Sequence, residues 1–264
     1  MIRIERQAKI LQLIREREYV ENSELTRLFN VTQATIRRDL KSLHEQGLVR
    51  IDHGGTSIPG QSEISDEPLY ETKVFLNHEA KQGIGKMAVS MLHDGEAIIL
   101  DSGTTNAAIA RSLRQSHLRN LTVITCDIMA AKELCFAQEM NVIVLGGQLR
   151  KSYYSTYGAY TETILKNIHA DKFFLGIDGA TMEHGITNFV LEAVPIKRLQ
   201  IEISDEVIMF ADSSIFGLTA PHSVCNWDAI QKIITDDCVS HEYREFFEAQ
   251  GIPVLTVPSC ISPS

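Results

Sequence analysis

Apolar positions in the first fifty residues fall into three short helical repeats. In residues 2–17, Ile4, Ile10, Leu11 and Ile14 recur at helical spacing, with Arg3, Arg6, Lys9, Arg15 and Arg17 read as the outer face. Residues 23–29, SELTRLF, predict a second, shorter helix with Leu25, Leu28 and Phe29 inward. After a tight Asn30-Val31-Thr32 link, Ile36, Leu40 and Leu43 stand at i, i+4 and i+7 and predict a third, with the Thr32 hydroxyl as its cap. Gly47 ends that helix. LVRI (48–51) reads as a short strand and Asp52-His53-Gly54-Gly55 as a turn.

Beyond residue 76 the pattern changes. Short apolar runs at 97–100, 121–125, 141–145, 172–176, 207–211, 232–235 and 253–257 predict strands. Helical stretches precede and separate them at 78–92, 105–114, 127–138, 159–168, 189–203 and 240–250. Near-continuous apolar strands alternating with helices predict a mainly parallel sheet covered on both faces. The fold class is therefore α/β with a small helical head. We place the head at 1–57, a linker rich in Pro, Gly, Ser and acidic residues at 58–76, and the larger domain at 77–264.

The polar positions of the third helix carry its chemistry. Gln33 and Thr35 lie in its first turn, and Arg37, Arg38 and Lys41 fall off the apolar stripe. Three short helices followed by a strand and a turn make a winged helix-turn-helix, whose third helix enters the major groove of DNA N-terminus first. Gln pairs with adenine, Thr touches a thymine methyl, and Arg forks onto guanine or phosphate. The expected DNA-contacting set is Thr32, Gln33, Thr35, Arg37, Arg38 and Lys41, with Arg50 and His53 on the wing.

Charge changes the picture only when divided. The chain carries −9 overall, yet residues 1–58 hold ten Lys/Arg against eight Asp/Glu, and the remainder fifteen against twenty-six. A basic head on an acidic body suits sequence-specific binding better than indiscriminate coating of nucleic acid. The N-terminus lacks the apolar segment of a secretion signal and no run is long enough to span a bilayer, so a cytoplasmic protein without membrane contact is expected. The five cysteines form no C-x-x-C pair and are expected to be reduced thiols. Neither a metal nor a cofactor is called for.

In parallel sheets the ligand crevice lies beyond the carboxyl ends of the strands. Strand 97–100 runs into Asp101-Ser102-Gly103-Thr104-Thr105, where backbone N–H groups and hydroxyls suit a phosphate. Strand 141–145 ends in Gly146-Gly147, and strand 172–176 leads to Asp178, placed to hold sugar hydroxyls. Each element also has a plainer reading: a helix cap, a turn, a loop cap. Tyr153, Tyr154, Tyr157 and Tyr160 suit a lid, a subunit contact or a core.

TIRRDLKSLHEQGLVR with HGG, then IGKMA, LDSGTTN, LTVIT, LGGQL, DKFFLGIDG and IITDD in order, resemble the DeoR family of bacterial transcriptional regulators over nearly the whole chain. The resemblance implies a sensor domain similar to ribose-5-phosphate isomerase that binds a phosphorylated sugar or related metabolite. It further implies repression of a carbohydrate operon through double-stranded operator DNA; because one small head contacts too little DNA for high affinity, a homo-oligomer on paired half-sites is expected. It makes Asp101–Thr105 the phosphate loop, matches Gly146, Gly147 and Asp178 to the family's pocket, and adds Glu192 and Lys197 near it. Two departures stand out. Asp212-Ser213-Ser214-Ile215-Phe216 carries Ile215 where many members have Lys, and Cys126-Asp127 stands where an Asn-Ser or similar pair is common. The competing reading is a sugar-phosphate isomerase with an added DNA-binding head. Such enzymes carry further acidic residues after the loop and a separate Gly-rich loop with catalytic Lys and Glu, whereas here GATMEHG follows Asp178 and no such Gly-rich loop appears.

Overall fold

Residues 1–58 and 67–259 are described by the computed structural model, and the chain divides into two units, Met1–His78 and Glu79–Ser264. The three amphipathic segments of the first unit form α1 (Arg3–Arg17), α2 (Asn22–Phe29) and α3 (Gln33–Glu45). Ile10, Leu11, Ile14, Leu25, Ile36, Leu40 and Leu43 close over one core, none more than 1% exposed. Leu28 departs from its expected place and is 55% exposed. α2 has only two turns, and Leu25 and Phe29, four residues apart, already fill its inward face.

α3 begins on Thr32, whose Oγ1 accepts the Thr35 N–H at 3.3 Å. It ends with the Gly47 N–H on His44 O and the Leu48 N–H on Leu43 O, the paired bonds of a Schellman close. β1 (Tyr19–Glu21), β2 (Arg50–Ile51) and β3 (Gly55–Ser57) form an antiparallel sheet in the order β1-β3-β2, and β2 with β3 make the wing.

Two sequence expectations are corrected here. Arg6, read as an outward residue of α1, donates from Nε to Asp39 Oδ2 at 2.6 Å, and Gln7 Nε2 reaches Asp39 Oδ1 at 3.3 Å. Asp39 is 1% exposed, so a buried carboxylate ties α1 to α3. Part of the segment expected as a linker, 58–76, is structured. Its residues 59–66 lie outside the described residues, but α4 (Tyr70–Lys73) packs against α1, and Phe75 and Leu76 join the core of the head. The Pro and acidic residues of this stretch masked an apolar pattern at Leu69, Tyr70, Val74, Phe75 and Leu76.

In the second unit α5 (His78–Ser90) leads into a parallel sheet of seven strands. These are β4 (Ala97–Leu100), β5 (Leu121–Thr125), β6 (Met140–Val144), β9 (Ala170–Gly176), β12 (Ser204–Phe210), β14 (Lys232–Asp236) and β15 (Val254–Val257), each within a few residues of an expected strand. The connecting helices are α6 (Thr104–Arg114), α7 (Ile128–Leu134), α8 (Ala159–Leu165), α9 (Val194–Glu202) and α10 (His241–Ala249). Successive side chains on a strand point to opposite faces, and two cores result. Ile99, Phe173, Leu175, Met209 and Ile233 pack on one side with Ile196, Trp227 and Phe247. Ile98, Leu100, Val123, Phe174, Ile208 and Ile234 pack on the other with Ile84, Ile109 and Leu134.

Two small sheets were not expected: the hairpin β7 (Gln148–Arg150) with β8 (Ser155–Tyr157), and β10 (Gly179–Thr181), β11 (Gly185–Asn188) and β13 (His222–Cys225). The large sheet runs β15-β14-β12-β9-β4-β5-β6. From β4 the chain winds outward through β5 to β6, then returns to the other flank of β4 as β9. The order therefore reverses between β4 and β9, which is where such sheets open a crevice at their carboxyl ends.

Candidate functional site

Thr32, Gln33, Arg37, Arg38, Lys41, Arg50 and His53 are all exposed on α3 and the wing, as expected, and Thr35 is half-buried. The Thr32 and Thr35 hydroxyls lie 2.9 Å apart and bond to each other. Lys41 stands 3.7 Å from Glu45, and Arg50 3.3 Å from Asp52. Among the described residues Arg37 and Arg38 have no ion pair, so their guanidinium groups are the unengaged cations of the recognition helix. Asp39 lies between them and Lys41 in sequence but points inward, and it anchors the helix that presents them.

At the reversal point, β4 ends in Asp101, which is 2% exposed. Its carboxylate accepts the Gly176 N–H at 3.1 Å and pairs with the Lys197 ammonium. Lys197 Nζ also donates to Gly176 O at 2.9 Å. One buried ion pair thus joins β4, β9 and α9. A charge pair this deep persists because both ions are paired and further bonded. Lys197 is near the loop, as the resemblance implied, but it is neutralised by Asp101.

Gly103 is the residue before α6, with φ +128°, and a Cβ built there meets nothing within 4 Å. The backbone is open at this point and a glycine is needed for its conformation, not for space. No side chain caps α6. The first-turn N–H groups of Thr104, Thr105 and Asn106 therefore take no side-chain cap, at a helix N-terminus of the kind that favours anions. Thr104 is 8% and Asn106 0% exposed, and Thr104 Oγ1 and Asn106 Oδ1 have no hydrogen-bond partner. Buried atoms of this kind are satisfied by a bound polar group or by water.

The other expected residues separate. Gly147 is required by a close approach within the protein, since a Cβ there would lie 2.5 Å from Tyr157 O and 2.3 Å from Thr161 Oγ1. Gly146 O accepts the Thr161 hydroxyl at 2.8 Å. Asp178 Oδ2 accepts Asn188 Nδ2 at 2.6 Å and the Phe189 N–H at 3.2 Å. Glu192 is exposed on the 3-10 turn Leu191–Ala193. Ile215 is half-buried in the turn Ser213–Ile215 and brings no charge.

Sequence reasoning missed two groups. Gln200 lies one turn after Lys197 on the inward face of α9, fully buried, with neither amide atom partnered. Its i, i+3 spacing from Lys197 was the available signal. Asp127 is the second. Its Oδ2 accepts the Gly103 N–H at 2.7 Å, and its Oδ1 accepts the N–H groups of Met129 and Ala130 at 2.7 and 2.9 Å. Burial pushes this carboxyl up from 3.8 to about 6 against the pull of those three bonds, with the Asp101 carboxylate adding to the rise. Burial and the same two carboxylates raise the neighbouring Cys126 thiol, which stays protonated.

A pH dependence follows. The folded protein holds the Asp127 proton more tightly than the unfolded chain, so the cost of its ionisation develops as pH rises from about 4 through about 6. Stability of the second unit should gain on acidification across that window, by an amount on the order of 3 kcal/mol for this group. The melting-temperature difference between wild type and Asp127→Asn, measured from pH 4 to 7, should change with pH; a constant difference would refute the assignment.

Asp236, Asp237 and Cys238 are grouped closely enough to reach one ion. The two carboxylates, however, accept N–H groups of Ser213, Cys238 and Ser259, and the group suits turn-capping rather than metal binding.

A winged helix-turn-helix joined in one chain to a larger α/β domain defines the architecture of a DNA-binding regulator. Residues 6–62 match the DeoR-like helix-turn-helix domain and residues 76–237 the DeoR C-terminal sensor domain. The chain belongs to the DeoR family of transcriptional regulators. It is 31% identical to the transcriptional repressor GlcR of Bacillus subtilis, over 97% of this chain and 96% of that one. It is 30% identical to the regulator GolR of Listeria innocua, covering 96% and 98%. The glycerol-3-phosphate regulon repressor of Escherichia coli is also 30% identical, covering 89% and 92%. As a member of that family the chain is a DNA-binding transcriptional regulator. Among solved structures, a ribose 5-phosphate isomerase from Methanocaldococcus jannaschii aligns at a TM-score of 0.39 and 18% identity, covering 53% of this chain and 55% of that one. Among the described residues no helix is long and apolar enough to cross a membrane.

Proposed function

We propose that this regulator represses a carbohydrate-utilisation operon in the cytoplasm and that a phosphorylated sugar or related metabolite bound at Asp101–Thr105 controls it. The observation that carries the reading is the open start of α6, which no side chain caps, with the buried Thr104 hydroxyl left without a partner. A phosphate would take the N–H groups of Thr104, Thr105 and Asn106 and the hydroxyls of Ser102 and Thr105. Asp178 and Glu192 would address the sugar hydroxyls. Names among the relatives agree, glycerol-3-phosphate regulon repressor above all. Because Lys197 is paired with Asp101 and Ile215 is uncharged, backbone dipoles rather than a free cation would hold the anion.

Thr32, Gln33, Thr35, Arg37, Arg38, Lys41, Arg50 and His53 form the DNA-contacting surface in this reading. A homo-oligomer would place two heads on paired half-sites. Control requires the effector to bind the DNA-bound and free forms with different affinity.

The test is thermal stability against a panel of sugar phosphates and their unphosphorylated parents. A ligand that binds the folded state alone raises the melting temperature by mass action. A rise with a phosphosugar, lost in Gly103→Val, and release of upstream DNA by the same compound in a gel shift are expected. Stabilisation by the unphosphorylated sugar alone would count against a phosphate site.

A further inference from the structure

Asp127 does more than a helix cap requires. Capping α7 takes a single acceptor, which Ser, Thr or Asn supplies equally well, and Oδ1 fills that role by accepting the Met129 and Ala130 N–H groups. The second oxygen is turned to another element, the Gly103 N–H, 24 residues earlier. Asp127 has little freedom of its own. It is 0% exposed, its N–H donates to Thr125 Oγ1 at 3.0 Å, and it bridges to Ser155 of β8. The next residue is fixed too, the Ile128 N–H donating to Tyr154 O at 2.8 Å. Gly103, by contrast, has no side chain and an open surround. Glycine loses more conformational freedom on ordering than any other residue, so this position needs an outside constraint.

We propose that Asp127 is a positioning residue for the effector: its second oxygen holds Gly103 and thereby sets the direction of the free N–H groups of Thr104, Thr105 and Asn106. The inference rests on the effector reading of that loop. It assigns Asp127 an effect on ligand affinity although it is two residues beyond β5 and contributes no atom to the anion. Preorganised donors bind more tightly than donors that must be ordered on binding.

Asp127→Ser separates the two roles, because serine can still cap α7 but has neither the second oxygen nor the reach to Gly103. Two readouts decide. The first is amide hydrogen exchange of the unliganded protein. Exchange at Gly103, whose N–H bonds to Asp127, and at Ala107, whose N–H bonds to Gly103 O, should quicken roughly tenfold to hundredfold, the worth of one charge-assisted hydrogen bond, while α7 and the sheet keep their protection. The second is stabilisation by inorganic phosphate and by glucose 6-phosphate, which should weaken by a similar factor. Unchanged exchange at Gly103 and Ala107 overturns the proposal, as does faster exchange throughout the unit, which would make Asp127 a fold residue only. A loosened loop with unchanged stabilisation also overturns it. A wild-type protein that neither probe stabilises overturns the effector reading instead, and the exchange data then still decide whether Asp127 holds the loop.

Discussion

Asp39→Ala should unfold the head while leaving the second unit intact. The carboxylate is buried between α1 and α3 and takes bonds from Arg6 and Gln7. Arg6 is itself mostly covered, its side chain 11% exposed. Removing one member of a buried pair leaves the other charge without compensation, at a cost of about 3–5 kcal/mol. A domain this small has little stability beyond that to lose. The expected melt has two transitions, the first lowered below working temperature and the second unmoved, with early proteolytic loss of residues 1–58. Asp39→Asn keeps the shape and should fall between. A single unchanged transition in Asp39→Ala would show that the pair contributes nothing net.

The Arg37→Ala, Arg38→Ala double variant should lose specific operator binding and keep its fold. Both side chains are exposed and unpaired among the described residues, so folding loses nothing when they are cut. On DNA each contact is worth about 1–3 kcal/mol, and the pair together roughly 30-fold to 20,000-fold in affinity. The single variants assign the roles. A phosphate contact weakens all sequences alike and reduces the salt slope by about one, and a base contact relaxes one position of the site. Binding isotherms on an operator and on scrambled DNA at several salt concentrations separate these outcomes. A double variant that binds as wild type would move the reading surface away from α3.

What was legible in the sequence follows from how far apart the interacting residues stand. The seven large strands were visible because each is a short apolar run, the central ones buried on both faces and the edge strands β6 and β15 only partly so. α3 was visible because its stripe, cap and terminating glycine are neighbours in sequence. The β7–β8 hairpin and the β10, β11 and β13 sheet were not, being three or four residues long and rich in Gly, Ser and Thr. Leu28 was misplaced because a two-turn helix gives periodicity too little length to choose between adjacent apolar residues.

The crevice was legible as a loop and not as a network. Asp101 meets Lys197 across 96 positions, and Gly103 meets Asp127 across 24. No local spacing encodes such partnerships. Asp39, Lys197 and Gln200 look like surface residues by composition and are buried, because each polar group is judged by its own hydropathy until its surroundings are known. Asp127 was noticed as a departure from the family pattern, but its purpose required the position of Gly103.

The strand order also fixes a sequence of events during synthesis. All the contacts that build the core of the head lie within the first 78 residues. β4, however, must pair on one flank with β5 and on the other with β9, which begins some seventy residues after β4 ends. At about 5–20 residues per second, the inner edge of the future crevice stays open for several seconds after β4 leaves the ribosome. The reading head therefore matures first, and for that interval the nascent chain carries a finished DNA-binding module beside a sensor that cannot yet exist.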